Sequence, residues 1–431
     1  MGDELTRMRE RLAAQVIAAN QMVGETVAAA LRDVPRHVFL PEVRPELAYT
    51  DDAIVTKRDE TGRPISSSSQ PAMMAIMLVQ LDLAPGHRVL EIGAGTGYNA
   101  ALIRHIIGGS GQVTSVDIDS ELVSKARAHL AAAGFPDVTV LCADGAGGCS
   151  AYAPYDRIIA TVGVSDLAPA WLEQAGPAAK IVMPLDVRGT QVCVAFARAG
   201  DGHWVSRSLA PCGFMRMRGS IAGPEAIVPL APGLYITLPD GVIQPGGHEA
   251  DGEALGAAMA GTPVLRPTGV SAGPAEVFWE LGLWLATREP RVCRVDEEQP
   301  ADPAVTAPRL GYAPLRGRGW HATVGILDPG SIAVLTAAPG PSGPSGPQTP
   351  PPPAAETSGP ITLVAAGFGP AATELVEDLA AHARAWDLAG RPGVAGLRVD
   401  AYPKPAGRLL EPGHNALIID RPSTRFVVSH A

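Results

Sequence analysis

Residues 88–97 read Arg-Val-Leu-Glu-Ile-Gly-Ala-Gly-Thr-Gly, and this stretch decides the fold of the 431-residue chain. The apolar pair Val89-Leu90 before the motif is typical of a buried strand, and the periodic apolar segment from Tyr98 predicts a helix. Glycines between a strand and a helix permit a tight turn and let a ligand approach the backbone closely. The ligand-binding residues predicted here are Glu91, Gly93, Ala94, Gly95, Thr96 and Gly97.

Strand-like and helix-like runs alternate downstream of this loop, which predicts parallel βαβ units in an α/β fold. We expect a doubly wound, mostly parallel sheet of the Rossmann-like class. Asp117 ends the next strand, 24 positions after Gly93, where a carboxylate can accept hydrogen bonds from a ribose diol. Asp144 and Gly145 follow a third strand, at the sheet edge where ligands of such folds bind.

The spacing of the loop separates two classes of nucleotide-binding protein. A nicotinamide-binding loop usually reads G-x-G-x-x-G, whereas this chain has E-x-G-x-G-x-G, with the acid ahead of the first glycine. The pattern resembles the S-adenosylmethionine-binding motif of Rossmann-like methyltransferases. That resemblance implies S-adenosyl-L-methionine as the cofactor. The alternative is that the glycines serve only a tight strand-to-helix turn.

A narrower resemblance covers about residues 7–219. It rests on the motifs Arg36-His37-x-Phe39-x-Pro41, Ala48-Tyr49-x-Asp51, Ser69-Gln70-Pro71-x-Met73 and Ala153-Pro154-Tyr155-Asp156. These are similar, in order and spacing, to the protein-L-isoaspartate O-methyltransferase family. The resemblance implies methylation of a carboxylate of an abnormal aspartyl residue, followed by collapse of the ester to a succinimide. It also implies that Ser69 is the active-site serine.

Two features depart from that family. The usual G-x-T-I-S-Q-P is replaced by Ile65-Ser66-Ser67-Ser68-Ser69-Gln70-Pro71, and about 210 residues follow the matching part. Both features resemble an actinobacterial branch associated with ribosomal peptide natural products, lanthipeptides and graspetides among them. The resemblance implies as substrate an ordinary aspartate in a cyclised precursor peptide, converted to aspartimide and possibly to isoaspartate. Repair of isoaspartyl proteins, and peptide binding without activity, are the alternatives.

The serine run suits a carboxylate acceptor. An aspartate with a pKa of ~3.9 is already ionised at neutral pH, so methyl transfer needs alignment and hydrogen-bond donors rather than a general base. Ser69 is the first candidate and Ser67 the second. The alternative is a polar turn in which one serine caps the helix that begins near Pro71. We expect a structural role for His37 and a solvated position for His129.

Composition limits the partners. The formal net charge of −10 argues against nucleic acid and against an anionic membrane surface as partners. The partner that the family resemblance implies is a modified precursor peptide or an isoaspartyl protein. The five cysteines are scattered without metal-site spacing, so no metal is expected. The charged N-terminal sequence lacks the apolar region of a secretory signal, and no apolar run is long enough to span a membrane. We therefore expect a cytoplasmic protein.

The domain organisation follows from changes in composition. Residues 1–219 form the predicted catalytic domain, and 220–336 form the first part of a C-terminal α+β domain. Residues 337–360, rich in Pro, Gly and Ser, are a predicted disordered insert, and 361–431 form the second part of that domain. Within it, residues 275–289 predict an amphipathic helix, on which Trp279 and Trp284 either pack in the core or form a peptide-docking surface.

Overall fold

The structure of the chain is a computed structural model. It describes residues 2–60, 62–239, 250–298, 315–317, 320–338, 360–405 and 416–430. The chain divides into two compact units. The first comprises Met1–Asp186, Gln191–Gly223 and Leu397–Ala431, and the second comprises Val187–Thr190 and Pro224–Gly396. Among the helices described, none combines the length and apolarity needed to cross a membrane.

Helices and strands are numbered in chain order. The α-helices are Gly2–Ala19 (α1), Glu25–Asp33 (α2), Pro45–Ala48 (α3), Pro71–Leu81 (α4), Tyr98–Ile107 (α5), Ser120–Ala132 (α6), Pro169–Gln174 (α7), Gly252–Met259 (α8), Gly282–Arg288 (α9) and Ala372–Leu388 (α10). The strands are Ile54–Arg58 (β1), Pro64–Ser68 (β2), Arg88–Ile92 (β3), Gln112–Asp117 (β4), Thr139–Cys142 (β5), Tyr155–Ala160 (β6), Ala175–Val187 (β7), Thr190–Arg198 (β8), Trp204–Pro211 (β9), Ala226–Ala231 (β10), Leu234–Leu238 (β11), Val264–Ala272 (β12), Val292–Glu298 (β13), Leu315–Gly317 (β14), Trp320–Asp328 (β15), Ser331–Ala337 (β16), Ile361–Phe368 (β17), Leu397–Pro403 (β18), Leu417–Asp420 (β19) and Thr424–His430 (β20).

The main sheet of the first unit has the strand order β19-β20-β18-β9-β8-β7-β6-β3-β4-β5. Strand β3 pairs in parallel with both β4 and β6, so the chain winds outward in one direction to β5 and then returns to the other side of β3. Ligands of open α/β sheets bind at this kind of switch point. The predicted Rossmann-like class is confirmed. The sheet is mixed, because β9, β18, β19 and β20 pair in antiparallel fashion.

The core of the first unit explains why its helices form where they do. Leu12 of α1, Leu31 of α2, Met77 of α4 and Ile103 of α5 are fully buried in one cluster with Val113 of β4. Each helix therefore places its apolar side in a shared core, which supplies most of the stability of a helix of this length. Strands β1 and β2 form a separate antiparallel hairpin that carries the serine run.

The second unit is an antiparallel sheet with the strand order β10-β11-β13-β15-β16-β17-β12, and β14 pairs with β15. Its helix over 275–289 is a π-helical turn, Glu276–Leu281, that continues into α9. Trp284 is buried in the core beside α10, and the Arg288 guanidinium lies 3.6 Å from the centre of its ring. Trp279 is half-buried, with its ring edge-on to Phe278.

The domain prediction for residues 361–431 differs from the structure. Only the part up to Gly396 belongs to the second unit, whereas Leu397–Ala431 belongs to the first. The physical reason is that β18 pairs with β9, so the last strands extend the first sheet. Pairing between strands so distant in the chain leaves no local pattern in the sequence. Of the predicted insert at 337–360, residues 339–359 lie outside the described part of the chain.

Candidate functional site

The glycine loop leaves β3 at the switch point of the sheet. Gly93 has a φ of +100°, and a Cβ atom there would lie 2.8 Å from the Thr161 hydroxyl, so only glycine fits. Its amide donates to the carbonyl of Val116 at 2.8 Å, and the Thr161 hydroxyl donates to its carbonyl at 2.7 Å. Gly97, with a φ of +88°, begins α5. Main-chain contacts with neighbouring strands therefore fix the loop.

Asp117 stands beside the loop, as the sequence predicts. Its Oδ2 accepts a hydrogen bond from the amide of Gly95, and its Oδ1 accepts one from the amide of Asp119, both at 3.0 Å. A carboxylate offers about four acceptor positions, so the buried group keeps capacity for two further donors. This geometry suits a ligand that presents a pair of hydroxyls.

Glu91 does not line the cavity. Its side chain is fully buried, and both carboxyl oxygens are occupied, Oε2 by the Ser115 hydroxyl and Oε1 by the Asn99 amide at 2.8 Å. Burial raises the pKa of Glu91 to about 7, although the Ser115 and Asn99 hydrogen bonds favour the charged form. The structure thus places this predicted cofactor residue behind the loop, where it supports α5 through Asn99.

Asp144 also lies outside the cavity wall, whereas Gly145 is part of it. The Asp144 carboxylate accepts hydrogen bonds from the amides of Ala146 at 2.9 Å and Ser220 at 2.8 Å. Burial opposes ionisation, but these amide donors hold the pKa of Asp144 below its ordinary value. Gly145 is needed because a Cβ atom would lie 2.5 Å from a methyl carbon of Ile92. Asp144 therefore shapes the site by fixing the chain around Ser220.

The serine run reaches the same cavity. Ser66 and Ser68 are buried and Ser67 and Ser69 half-buried, as expected for alternation along β2. The Ser67 carbonyl lies close to Gly95, within 3.7 Å of where a Cβ atom would stand. The hydroxyls of Ser67 and Ser69 have no hydrogen-bond partner among the residues that the structure describes. They are therefore available to a ligand.

Helix α4 is not capped by a serine, so the capping role considered for one serine of the run is wrong. Its N-cap position is Gln70, whose side chain makes no capping bond. Asp51 caps it from a distance, accepting from the amide of Ala72 at 2.8 Å and from the side chain of Gln70 at 3.1 Å. This leaves the Ser69 hydroxyl free of a capping role.

Arg36 holds the serine turn and had no assigned role in the sequence analysis. The guanidinium is fully buried and donates to the carbonyl of Ser69 at 3.1 Å and to that of Asp52 at 3.1 Å. Burial lowers the pKa of Arg36, and nearby Tyr98 and the acids Asp51 and Asp52 oppose that effect. The motif around Arg36 could have drawn attention to it, but its carbonyl partners are visible only in the fold.

A second missed element is the segment 214–218, which includes Arg216 and Arg218. Its backbone pairs with Gly163, which donates to Met215 and accepts from Met217, both at 2.8 Å. Arg216 reaches the buried carboxylate of Asp186 at 3.1 Å. These residues, with Thr161 and Val162, complete the cavity wall. Nothing in their local sequence signals this.

The expectations for the two histidines are a structural role for His37 and a solvated position for His129, and the structure gives them different outcomes. His37 contacts the Tyr49 hydroxyl through Nδ1 at 2.7 Å, and burial lowers its pKa. The expectation of a solvated position for His129 is wrong, because the residue is half-buried and its Nδ1 lies 3.1 Å from the carbonyl of Thr96. Within the described ranges, no cluster of His, Cys, Asp or Glu could hold a metal ion.

The cavity brings most of the predicted residues together. The cavity is partly open to solvent. Two buried polar atoms of residues in its wall, Tyr98 Oη and Asn99 Oδ1, lack a partner in the described structure. Predicted residues in the wall are Ser67, Ser69, Gly93, Ala94, Gly95, Thr96, Asp117 and Gly145, whereas Glu91, Gly97 and Asp144 are not in it.

The family model and the relatives found by sequence agree on one family. The family model for Protein-L-isoaspartate(D-aspartate) O-methyltransferase matches residues 7–221. The Protein-L-isoaspartate O-methyltransferase of Methanopyrus kandleri is 37% identical over 214 residues, which are 49% of this chain and 92% of that protein. The Hyperthermus butylicus protein of the same name is 35% identical over 225 residues, covering 50% and 91%. A solved structure of a protein-L-isoaspartate O-methyltransferase covers 91% of this chain and 96% of its own, with 19% identity and a TM-score of 0.48.

Proposed function

The chain belongs to the protein-L-isoaspartate(D-aspartate) O-methyltransferase family, and on this premise we propose that it methylates a carboxylate of an aspartyl or isoaspartyl residue in a peptide, using S-adenosyl-L-methionine. One observation carries the proposal. A single cavity is lined both by the glycine loop with Asp117 and by the half-buried hydroxyls of Ser67 and Ser69. The proposed site for the methyl donor and the proposed site for the acceptor carboxylate thus share one cavity.

The residues present fit the cofactor. Asp117 has spare acceptor capacity for ribose hydroxyls, and Ile118 and Leu122 offer apolar surface to an adenine ring. The unpartnered Oδ1 of Asn99 is an acceptor suited to an ammonium group. When bound, S-adenosyl-L-methionine supplies a sulfonium methyl group, the electrophile of the reaction.

The acceptor side needs only to orient a carboxylate. Because an aspartyl carboxylate is ionised at neutral pH, the site requires no general base. The hydroxyls of Ser67 and Ser69 can donate to one carboxylate oxygen and leave the other directed at the methyl carbon. Arg36 holds the main chain of Ser69, so the Ser69 hydroxyl is positioned before the acceptor carboxylate binds.

For the substrate itself, we propose an unmodified aspartate in a cyclised ribosomal precursor peptide. Support comes from the altered acceptor segment, in which Ile65 and Ser67 stand in the cavity wall, and from the long sequence beyond residue 219. A cyclised peptide loses less conformational entropy on binding than a linear one. Repair of damaged isoaspartyl proteins is the second candidate, favoured by the relatives, which bear the name Protein-L-isoaspartate O-methyltransferase.

A competition assay tests these proposals. The full chain is offered three substrates with S-adenosyl-L-methionine: a cyclised precursor peptide, its linear form and a short isoaspartyl peptide. We expect preferred methylation of the cyclised peptide, seen by mass spectrometry as the gain of one methylene and then the loss of methanol. Turnover of the isoaspartyl peptide alone would establish the repair function instead. Methylation of none of the three would refute the proposed reaction.

A further inference from the structure

Two arginines line the cavity, and their surroundings differ. Arg216 is paired at 3.1 Å with Asp186, a carboxylate that is almost completely buried. Arg218 lies 3.6 Å from Asp119 at closest approach, and its side chain is 42% exposed. The second arginine is therefore the more accessible cation at this site.

The partner of Arg218 is already neutralised by closer groups. The Lys57 ammonium donates to both carboxylate oxygens of Asp119, at 2.8 and 2.9 Å. The same carboxylate caps α6 by accepting hydrogen bonds from the amides of Glu121 and Leu122. A contact of 3.6 Å adds little to that set, because an exposed ion pair contributes ~1 kcal/mol or less. The fold thus makes small use of the Arg218 charge.

The chemistry of the reaction indicates what that charge is for. As the carboxylate oxygen bonds to the methyl carbon, the sulfur–carbon bond breaks and its electron pair stays on sulfur. Both the carboxylate and the sulfonium lose their charges. An arginine paired to the reacting carboxylate would stabilise the starting state more than the transition state, and would slow the step. Neutral hydroxyls suit the acceptor, whereas a guanidinium suits a carboxylate that keeps its charge throughout.

We propose that Arg218 binds a second carboxylate of the substrate, on an acidic residue that flanks the methyl acceptor. The inference rests on the proposed function, because it concerns the peptide that the cavity accepts. The substrate is then an acidic peptide segment. In a chain whose net charge is −10, a cationic side chain at the cavity also offsets the general repulsion of such a segment.

The test uses two isoaspartyl peptides that differ only in carrying Glu or Gln at both positions beside the acceptor. Binding to the full chain in the presence of S-adenosylhomocysteine is measured by fluorescence anisotropy, and methyl transfer is measured separately. We expect about tenfold tighter binding of the Glu peptide at low salt, and a similar ratio of kcat/KM. In Arg218→Gln both ratios fall to about one.

The matched control is Arg32→Gln, which removes an equal charge from an exposed ion pair with Glu25 on α2. It should keep the preference for the Glu peptide. Equal binding of the two peptides by the unaltered chain, or a preference that survives in Arg218→Gln, would overturn the inference. Binding is read without turnover, so a preference seen without methylation leaves the role of Arg218 standing, and the proposed reaction is then judged by the assay with the cyclised and linear peptides.

Discussion

The two sides of the cavity are built by different means. On the cofactor side, the loop after β3 is held by main-chain groups of β4 and by the carboxylate that ends β4. On the acceptor side, the β1–β2 hairpin and its serines are held by single side chains, those of Arg36, Asp51 and Lys57. Sheet geometry thus fixes the loop proposed to bind the cofactor, whereas a few long-range side-chain contacts fix the hairpin proposed to bind the acceptor carboxylate. Substitutions on the first side should therefore change cofactor affinity, and substitutions on the second should change peptide turnover.

The largest effect is expected on the cofactor side, from Asp117→Ala. In the proposed binding mode the change removes a carboxylate that accepts two ribose hydrogen bonds, each worth about 1.5 to 3 kcal/mol, so cofactor affinity should fall more than a hundredfold. Calorimetry with S-adenosyl-L-methionine measures this. Asp3→Ala, an exposed acid on α1, is the control and should bind normally. Unchanged affinity in Asp117→Ala would contradict the assignment of this residue.

Glu91, behind the loop, makes the cofactor side sensitive to pH. Its pKa is about 7 in the folded chain because of burial, against an ordinary value of 4.5. Between these values the unfolded chain releases the proton and the folded chain keeps it, so stability falls as pH rises from 4.5 to about 7. The size is roughly 3 kcal/mol.

In Glu91→Gln the free energy of unfolding should lose this pH dependence. Urea denaturation at pH 5, 6 and 8 measures the difference from the unaltered chain. Glu4→Gln, exposed on α1, is the matched control. An identical pH dependence in Glu91→Gln and the unaltered chain would show that the buried carboxyl is ionised throughout.

The same contrast explains what the sequence could predict. The strand, the glycines and Asp117 lie close together in the chain, so their spacing reports their geometry. The Glu91 carboxyl was assigned to the cofactor because spacing does not show which way a side chain faces. Arg36 was missed because its carbonyl partner in Ser69 is 33 positions away. Nor does a local pattern show that β18 pairs with β9.

On the acceptor side, Ser69→Ala should lower turnover by about tenfold to a hundredfold and leave cofactor affinity nearly unchanged. In the proposed reaction the Ser69 hydroxyl is an oriented donor to the acceptor carboxylate, and removal of one such donor costs transition-state stabilisation. Steady-state methyl transfer and calorimetry measure the two quantities. Ser124→Ala on α6, whose hydroxyl donates only to a carbonyl of its own helix, is the control. A normal rate in Ser69→Ala would reduce the serine run to a structural turn.

The smallest effect is expected where the acceptor hairpin meets α6. Lys57 joins β1 to Asp119 at 2.8 Å and to Glu121 at 2.7 Å, and the Asp119 hydrogen bond, followed by that of Glu121, raises the pKa of Lys57. Lys57→Gln should loosen the hairpin and lower kcat/KM for peptide about fivefold, with cofactor affinity preserved, because a partly exposed ion pair contributes ~1 kcal/mol. Lys125→Gln is the matched control, since Lys125 contacts only Glu121 on the same helix in the described ion pairs.

The two lysine variants should also differ in their response to salt. Raising ionic strength screens the Lys57 contacts, so the unaltered chain and Lys125→Gln should lose peptide activity as salt increases, while Lys57→Gln changes less. If Lys57→Gln weakened cofactor binding as much as peptide turnover, the hairpin would be coupled to the loop, and the division between the two sides would fail. Such coupling would pass through Asp119, which pairs with Lys57 and whose amide donates to Asp117 at 3.0 Å.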